Sequence, residues 1–205
     1  MRRFRSVCVA FLFVLVASGV VIAPVQAETE VIDTARVSFG VLEGNDTSEA
    51  PVISADGSTI VYESDASNLV PDDNNDSSDV FVYDVATATT TRVSVATNGT
   101  EANGSSNAPA VSGDGSTIVY SSNASNLVAD DSNDSVDVFV YDVATATTTR
   151  VSVATNGTET NANSYDPAVS GDGSTIVYPS DASNLVTDDN NGYSDVFVYD
   201  VATAT

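Results

Sequence analysis

Three short loops hold the residues of this chain best suited to chemistry. Asp73-x-Asn75-x-Ser77-x-Asp79 sets oxygen-bearing side chains at alternate positions. The pattern returns as Asp131, Asn133, Ser135 and Asp137, and again as Asp189, Asn191, Tyr193 and Asp195. Calcium takes roughly six to eight oxygen ligands from carboxylates, amides and backbone carbonyls, and a curled D-x-N-x-S-x-D loop presents such a set. In the third copy Tyr193 can offer only its carbonyl. A solvated Asp/Asn/Ser loop, built of residues that favour turns, accounts for the same text. An EF-hand does not. Asp84 is twelfth when Asp73 is first, but residues 79–84 read as a strand, and ~3.3 Å per residue sets Asp79 and Asp84 about 16 Å apart.

Absent residue types restrict catalysis further. The chain has no His, its six basic residues are all Arg, and its single cysteine is Cys8. The usual bases and nucleophiles near neutral pH are therefore missing. A carboxylate pair of the glycosidase kind or calcium-assisted hydrolysis would remain. Yet every Asp sits in a repeated context, whereas a catalytic site is normally unique. The residues argue against an enzyme. Arg36, Arg92 and Arg150 recur one per repeat, and the abundance of carboxylates favours ion pairing over anion binding.

The first 27 residues have the pattern of a secretory signal peptide. Arg2, Arg3 and Arg5 precede the apolar run Val7 to Ala23, and Val25-Gln26-Ala27 supplies a small-residue cleavage site. This predicts a secreted, periplasmic or cell-surface protein, released from the membrane and without cysteine. Three arginines then stand against 29 acidic residues. Such a surface repels nucleic acid and anionic membranes and attracts cations. Divalent-ion binding and adaptation to high salt both explain it.

The elements that would position the loops repeat with them. The stretches beginning at Pro71, Ala129 and Thr187 are spaced by 58 residues, and 79–101 is identical to 137–159 over 23 residues. The third copy restarts at Asp195 and follows the same text to Thr205. Within a unit four short strands are predicted. Pro109 to Ser112 leads into the turn Gly113-Asp114-Gly115, then Ser116 to Tyr120 is rich in β-branched and aromatic residues. A polar loop from Ser121 to Val136 follows, then Asp137 to Val143 and Thr147 to Val153. Joined in sequence, they make an antiparallel meander. Such a unit buries little alone, so meanders stack as propeller blades or a solenoid. Tyr62, Tyr120 and Tyr178, with Phe81, Phe139 and Phe197, are candidate core.

The combination P-x-x-S-x-D-G, I-V-Y-x-S, D-V-F-V-Y-D, T-R-V-S resembles the WD40-like propeller repeats of the TolB type. Pro109, Ser112, Asp114, Gly115, Asp137, Phe139 and Asp142 carry it, and nearly all of 28–205 is covered. The units exceed the ~40–45 residues of a WD40-type blade, and the excess is the acidic loop. The implied fold is all-β, about three four-stranded antiparallel blades in a repeat domain over 28–205, with units at about 51–108, 109–166 and 167–205. Thr34 to Ser38 matches a fourth strand and the text stops after a third, an arrangement of split-blade ends. Propellers typically have ~4–8 blades. Two chains completing a six-bladed ring, an open array of three blades, and an incomplete propeller all fit. The resemblance implies a non-catalytic module that binds a protein or surface ligand, with calcium stiffening its loops. A truncated propeller domain of a larger secreted enzyme and a structural cell-surface array are the alternatives.

Overall fold

The computed structural model describes residues 36–37 and 43–204. The signal-peptide reading, Cys8 and most of the Thr34 to Ser38 strand fall outside them. Among the described residues there are eleven strands and no helix. The first sheet is β1 (Ser48–Ile53), β2 (Thr59–Ser64), β3 (Asp79–Asp84) and β4 (Thr89–Arg92). The second is β5 (Ser106–Val111), β6 (Thr117–Ser122), β7 (Asp137–Asp142) and β8 (Thr147–Arg150). The third is β9 (Ala168–Val169), β10 (Thr175–Ser180) and β11 (Asp195–Asp200). In each sheet strands pair with their sequence neighbours, all antiparallel.

Local chemistry accounts for the turns. Between β5 and β6, Asp114 Oδ1 accepts the Ser116 N–H and the hydroxyls of Ser112 and Ser116. Asp56 and Asp172 do the same in their sheets. The β7–β8 turn has neither Gly nor Pro. It forms because Asp142 accepts the N–H and hydroxyl of Thr145, while Ala146 takes φ 53°. Asp84 and Asp200 close the matching turns, so the residues with EF-hand spacing are turn formers at the far ends of their strands.

Two boundaries differ from the sequence reading by three residues, while β6 runs on to Ser122 and β7 stops one residue earlier at Asp142. The first strand of the middle unit begins at Ser106, ahead of Pro109, because a bulge with Ala108 at φ 51° interrupts its register and accommodates the proline. The fourth strand ends at Arg150 instead of Val153, and Val153 bridges to Glu159.

Each sheet has an aromatic face and a valine face, as alternation along a strand requires. Tyr62–Phe81, Tyr120–Phe139 and Tyr178–Phe197 are cross-strand neighbours with ring centroids 5.9, 5.9 and 6.1 Å apart. The core lies between sheets. Val61, Val80 and Val93 of the first pack on Ile118, Tyr120, Phe139 and Tyr141 of the second. Val119, Val138 and Val151 of the second pack on Ile176, Tyr178 and Tyr199 of the third. Valine face thus meets aromatic face at both junctions. Fully burying one such side chain stabilises by about 1.5–3 kcal/mol. The first turns of the sheets also join hands. Asp56 N–H donates to Gly113 O at 3.2 Å, and Gly113 N–H to Gly171 O at 2.8 Å.

Candidate functional site

The acidic loop leaves β2 and returns to β3. Asp72 and Asp76 sit at φ 58° and 52°, Asp130 and Asp134 at 58° and 52°, in the left-handed region that Asp tolerates. In the third loop Gly192 takes the matching position at φ 70°, which explains its departure from the other copies. Asn75 Oδ1 accepts the Ser77 N–H, closing a local turn, and its Nδ2 donates to Asp79 and to Ala102 O. Asn133 and Asn191 repeat the turn and the bond to Asp137 or Asp195. The turn itself uses the backbone N–H of the residue after next, so Tyr193 keeps it where the other copies have Ser.

The structure brings Asp73 and Asp79 together and adds Glu101, which was not among the candidate residues. Arg92 lies between them. Its Nη1 is 3.3 Å from Asp73, 3.2 Å from Asp79 and 2.5 Å from Glu101, and Nη2 donates to Asp72 O. Arg150 does the same with Asp131, Asp137 and Glu159 at 3.0, 3.3 and 3.2 Å. Asp79 and Asp137 are completely buried. Each also accepts a serine hydroxyl from the following segment, Ser94 or Ser152. The carboxylates of Asp73, Asp79 and Glu101 could jointly hold a metal ion, and the cation at their centre is a guanidinium. Ser77 and Ser135 do not join: their hydroxyls donate to Asn75 O and Asn133 O. The alternating oxygens therefore serve loop closure and arginine binding, each in turn. In the third loop Asp195 is partly exposed, and among the described residues no arginine lies against Asp189 or Asp195.

Three carboxylates around one guanidinium leave excess negative charge. Burial and the neighbouring Asp79 push the Asp73 carboxyl up to about 6, against the pull of Arg92. Burial also raises Asp79 and Asp131. Hydrogen bonds to the turn carboxylates act oppositely: Asp114 and Asp172 are lowered to about 2, and Asp56, Asp84, Asp142 and Asp200 are lowered too. A raised carboxyl binds protons more tightly folded than unfolded, so its effect on stability improves as pH falls from about 6 towards the unfolded value near 4. Lowered carboxyls contribute stability above the unfolded value that is lost as pH falls further. Stability at fixed ionic strength is thus expected to peak between about pH 4 and 5. Urea titrations across pH check this, and Asp73→Asn should flatten the slope between about pH 5 and 7. A monotonic rise from pH 4 to 7 would contradict it.

Among solved structures, the β-propeller domain of the trilobed protease from Pyrococcus furiosus, described as having an open velcro topology, is similar. Its TM-score is 0.50 at 12% identity, covering 78% of this chain and 42% of that one. The fold is that of a β-propeller. TolB from Acinetobacter baumannii is also similar, with TM-score 0.46, 17% identity, and 80% of this chain matched to 32% of that one. The TolB structure from Agrobacterium tumefaciens gives 0.47 and 16%, with coverages of 76% and 47%. The propeller chain spans less than half the length of each. No protein-family model matches the sequence. No curated protein matches it either. The three sheets are propeller blades, and the arginine clusters tie the first two acidic loops to the fourth strands of their own blades.

Proposed function

We propose that the chain is an exported, non-catalytic propeller module that binds protein or surface ligands and acts as a scaffold. One observation carries this reading. The buried carboxylates of the first two blades bind an arginine, and the turn carboxylates close hairpins, in the same way from blade to blade. Among the described residues these cluster and turn carboxylates thus have structural work that recurs with the repeat, which supports a scaffold. Calcium enters this reading as a secondary cation for the acidic loops, competing with arginine in the first two.

Two measurements on the full-length chain test it. Expressed in a bacterium, it should appear in the periplasm or medium with a new N-terminus at Glu28; a cytosolic product keeping Met1 would refute export. A panel of peptide, ester and glycoside substrates should show no turnover. Turnover abolished by Asp79→Asn or Asp195→Asn would refute the non-catalytic reading. The protease origin of the Pyrococcus furiosus propeller favours a second reading, a propeller domain belonging to a larger secreted enzyme. A coding frame that continues past Thr205 into a hydrolase domain would establish it.

A further inference from the structure

The opening segment of each blade carries the same bend. Ala50, Ala108 and Asp166 take φ 48°, 51° and 45°, and each is followed by a proline. A side chain in the left-handed region is strained, and a proline next in sequence favours extended backbone before it, so the three peptides store strain alike. Strain held in place by its surroundings gathers where chemistry is done. The copies differ in what stands at the bend. Two have alanine, and the third has a carboxylate. Of the six prolines in the chain only Pro167 follows an aspartate.

Two further differences act on the same peptide. Glu63 and Ser121 lie opposite Glu49 and Asn107, beside the bends of their blades. Glu63 also reaches the second blade, where its Oε2 accepts the Ala108 N–H at 2.7 Å. Ser121 holds the corresponding place towards the third blade, and its buried Oγ has no hydrogen-bond partner. The bend at Asp166 is thus without the strap that holds Ala108. Opposite Tyr165 stands Pro179, which accepts the Tyr165 N–H at 3.1 Å and has no N–H to return. β9 accordingly shrinks to Ala168–Val169, where β1 and β5 have six residues each. Asp166 is exposed, and no described residue donates a hydrogen bond to its carboxylate.

We propose that the Asp166–Pro167 peptide bond is a self-cleavage site. A carboxylate oxygen of Asp166 reaches the carbonyl carbon of its own peptide bond through a five-membered ring, the proximity that speeds intramolecular attack. The new C–O bond forms as the C–N bond to proline breaks. This leaves a cyclic anhydride at Asp166 and an amine at Pro167, whose nitrogen takes a proton from water. Water then opens the anhydride, restoring the side-chain carboxyl beside a new α-carboxyl and returning the proton. The sum is one peptide bond hydrolysed, with water the sole co-reactant. The prolyl nitrogen carries no hydrogen and so is anchored by no hydrogen bond, and scission releases the strain at Asp166. The pieces stay together. Ser164 and Tyr165 remain bonded to Val136 and Pro179, β9 to β10, and the third blade to the second through its core.

The test is intact mass, read under denaturing conditions, after the folded full chain has stood in mildly acidic buffer, where the leaving nitrogen is readily protonated. Two fragments are expected, one ending at Asp166 and one beginning at Pro167, formed at a rate independent of protein concentration. In urea the rate should fall about tenfold, because unfolding releases the strain. Asp166→Ala, the residue held at this bend by the other copies, should stop cleavage and keep the thermal midpoint. Asp166→Glu, whose anhydride needs a larger ring, should slow it by about tenfold or more. A chain that stays whole, a rate as high unfolded as folded, cleavage that survives Asp166→Ala or is unslowed in Asp166→Glu, or a rate that rises with protein concentration would each overturn the proposal.

Discussion

Replacing Arg92 by glutamine is expected to lower stability by about 3–5 kcal/mol, the usual cost of leaving buried charge uncompensated. The side chain is 8% exposed and faces Asp73 and Asp79, themselves 5% and 0% exposed. Without the guanidinium, two carboxylates must share a dry space with Glu101 beside them. They can respond by binding protons, so the loss should be smaller at pH 5 than at pH 7. Calcium offers another response, since the three carboxylates are near enough to share one ion. Its addition should raise the urea midpoint of the variant more than that of the unmodified chain, by linkage to the folded state. Equal shifts in both would mean that calcium binds elsewhere. An unchanged midpoint in the variant would mean that Arg92 is dispensable to the loop.

Gly115→Ala should cost distinctly more than Gly57→Ala, although the two glycines have the same local conformation. Both sit at left-handed φ, 74° and 73°. For either, a side chain costs about 1–2 kcal/mol on that account. A Cβ on Gly57 meets nothing within 4 Å, whereas one on Gly115 falls 2.3 Å from Thr59 Oγ1 and 2.8 Å from its Cβ. Thr59 is fixed in β2 opposite Asp84, so the blades must part, adding about 1–3 kcal/mol of overpacking. Equal losses by urea denaturation would show that the blades do not approach here as closely as described.

Strand identity was legible in the sequence because β-branched and aromatic residues alternate between D-G turns, and because repetition removed ambiguity. The bulge at Ala108 was not, since nothing in Asn-Ala-Pro declares a left-handed alanine. At the clusters, the aspartates and the pairing of arginine were readable from charge abundance. The role of Asn75 was harder, for an amide offers an oxygen and a nitrogen, and only the fold aims the nitrogen at Asp79. Glu101 was missed because it lies beyond β4, brought back by the short bridge between its own backbone and Val95. Its signal was present: Glu101 and Glu159 follow Arg92 and Arg150 at equal spacing, within the stretch that is identical.

That identity bears on how the chain reaches its native state. The aromatic face of the second blade, which receives the valines of the first, is matched almost residue for residue by that of the third. During collapse the first blade's valines meet two acceptors of nearly equal merit. Seating them on the third expels the blade between. Such an error satisfies local preference and fails only globally, so it is corrected by undocking and not by sliding. Refolding from denaturant will therefore divide into a direct population and a delayed one, and the delay will shorten as the repeats are made to differ.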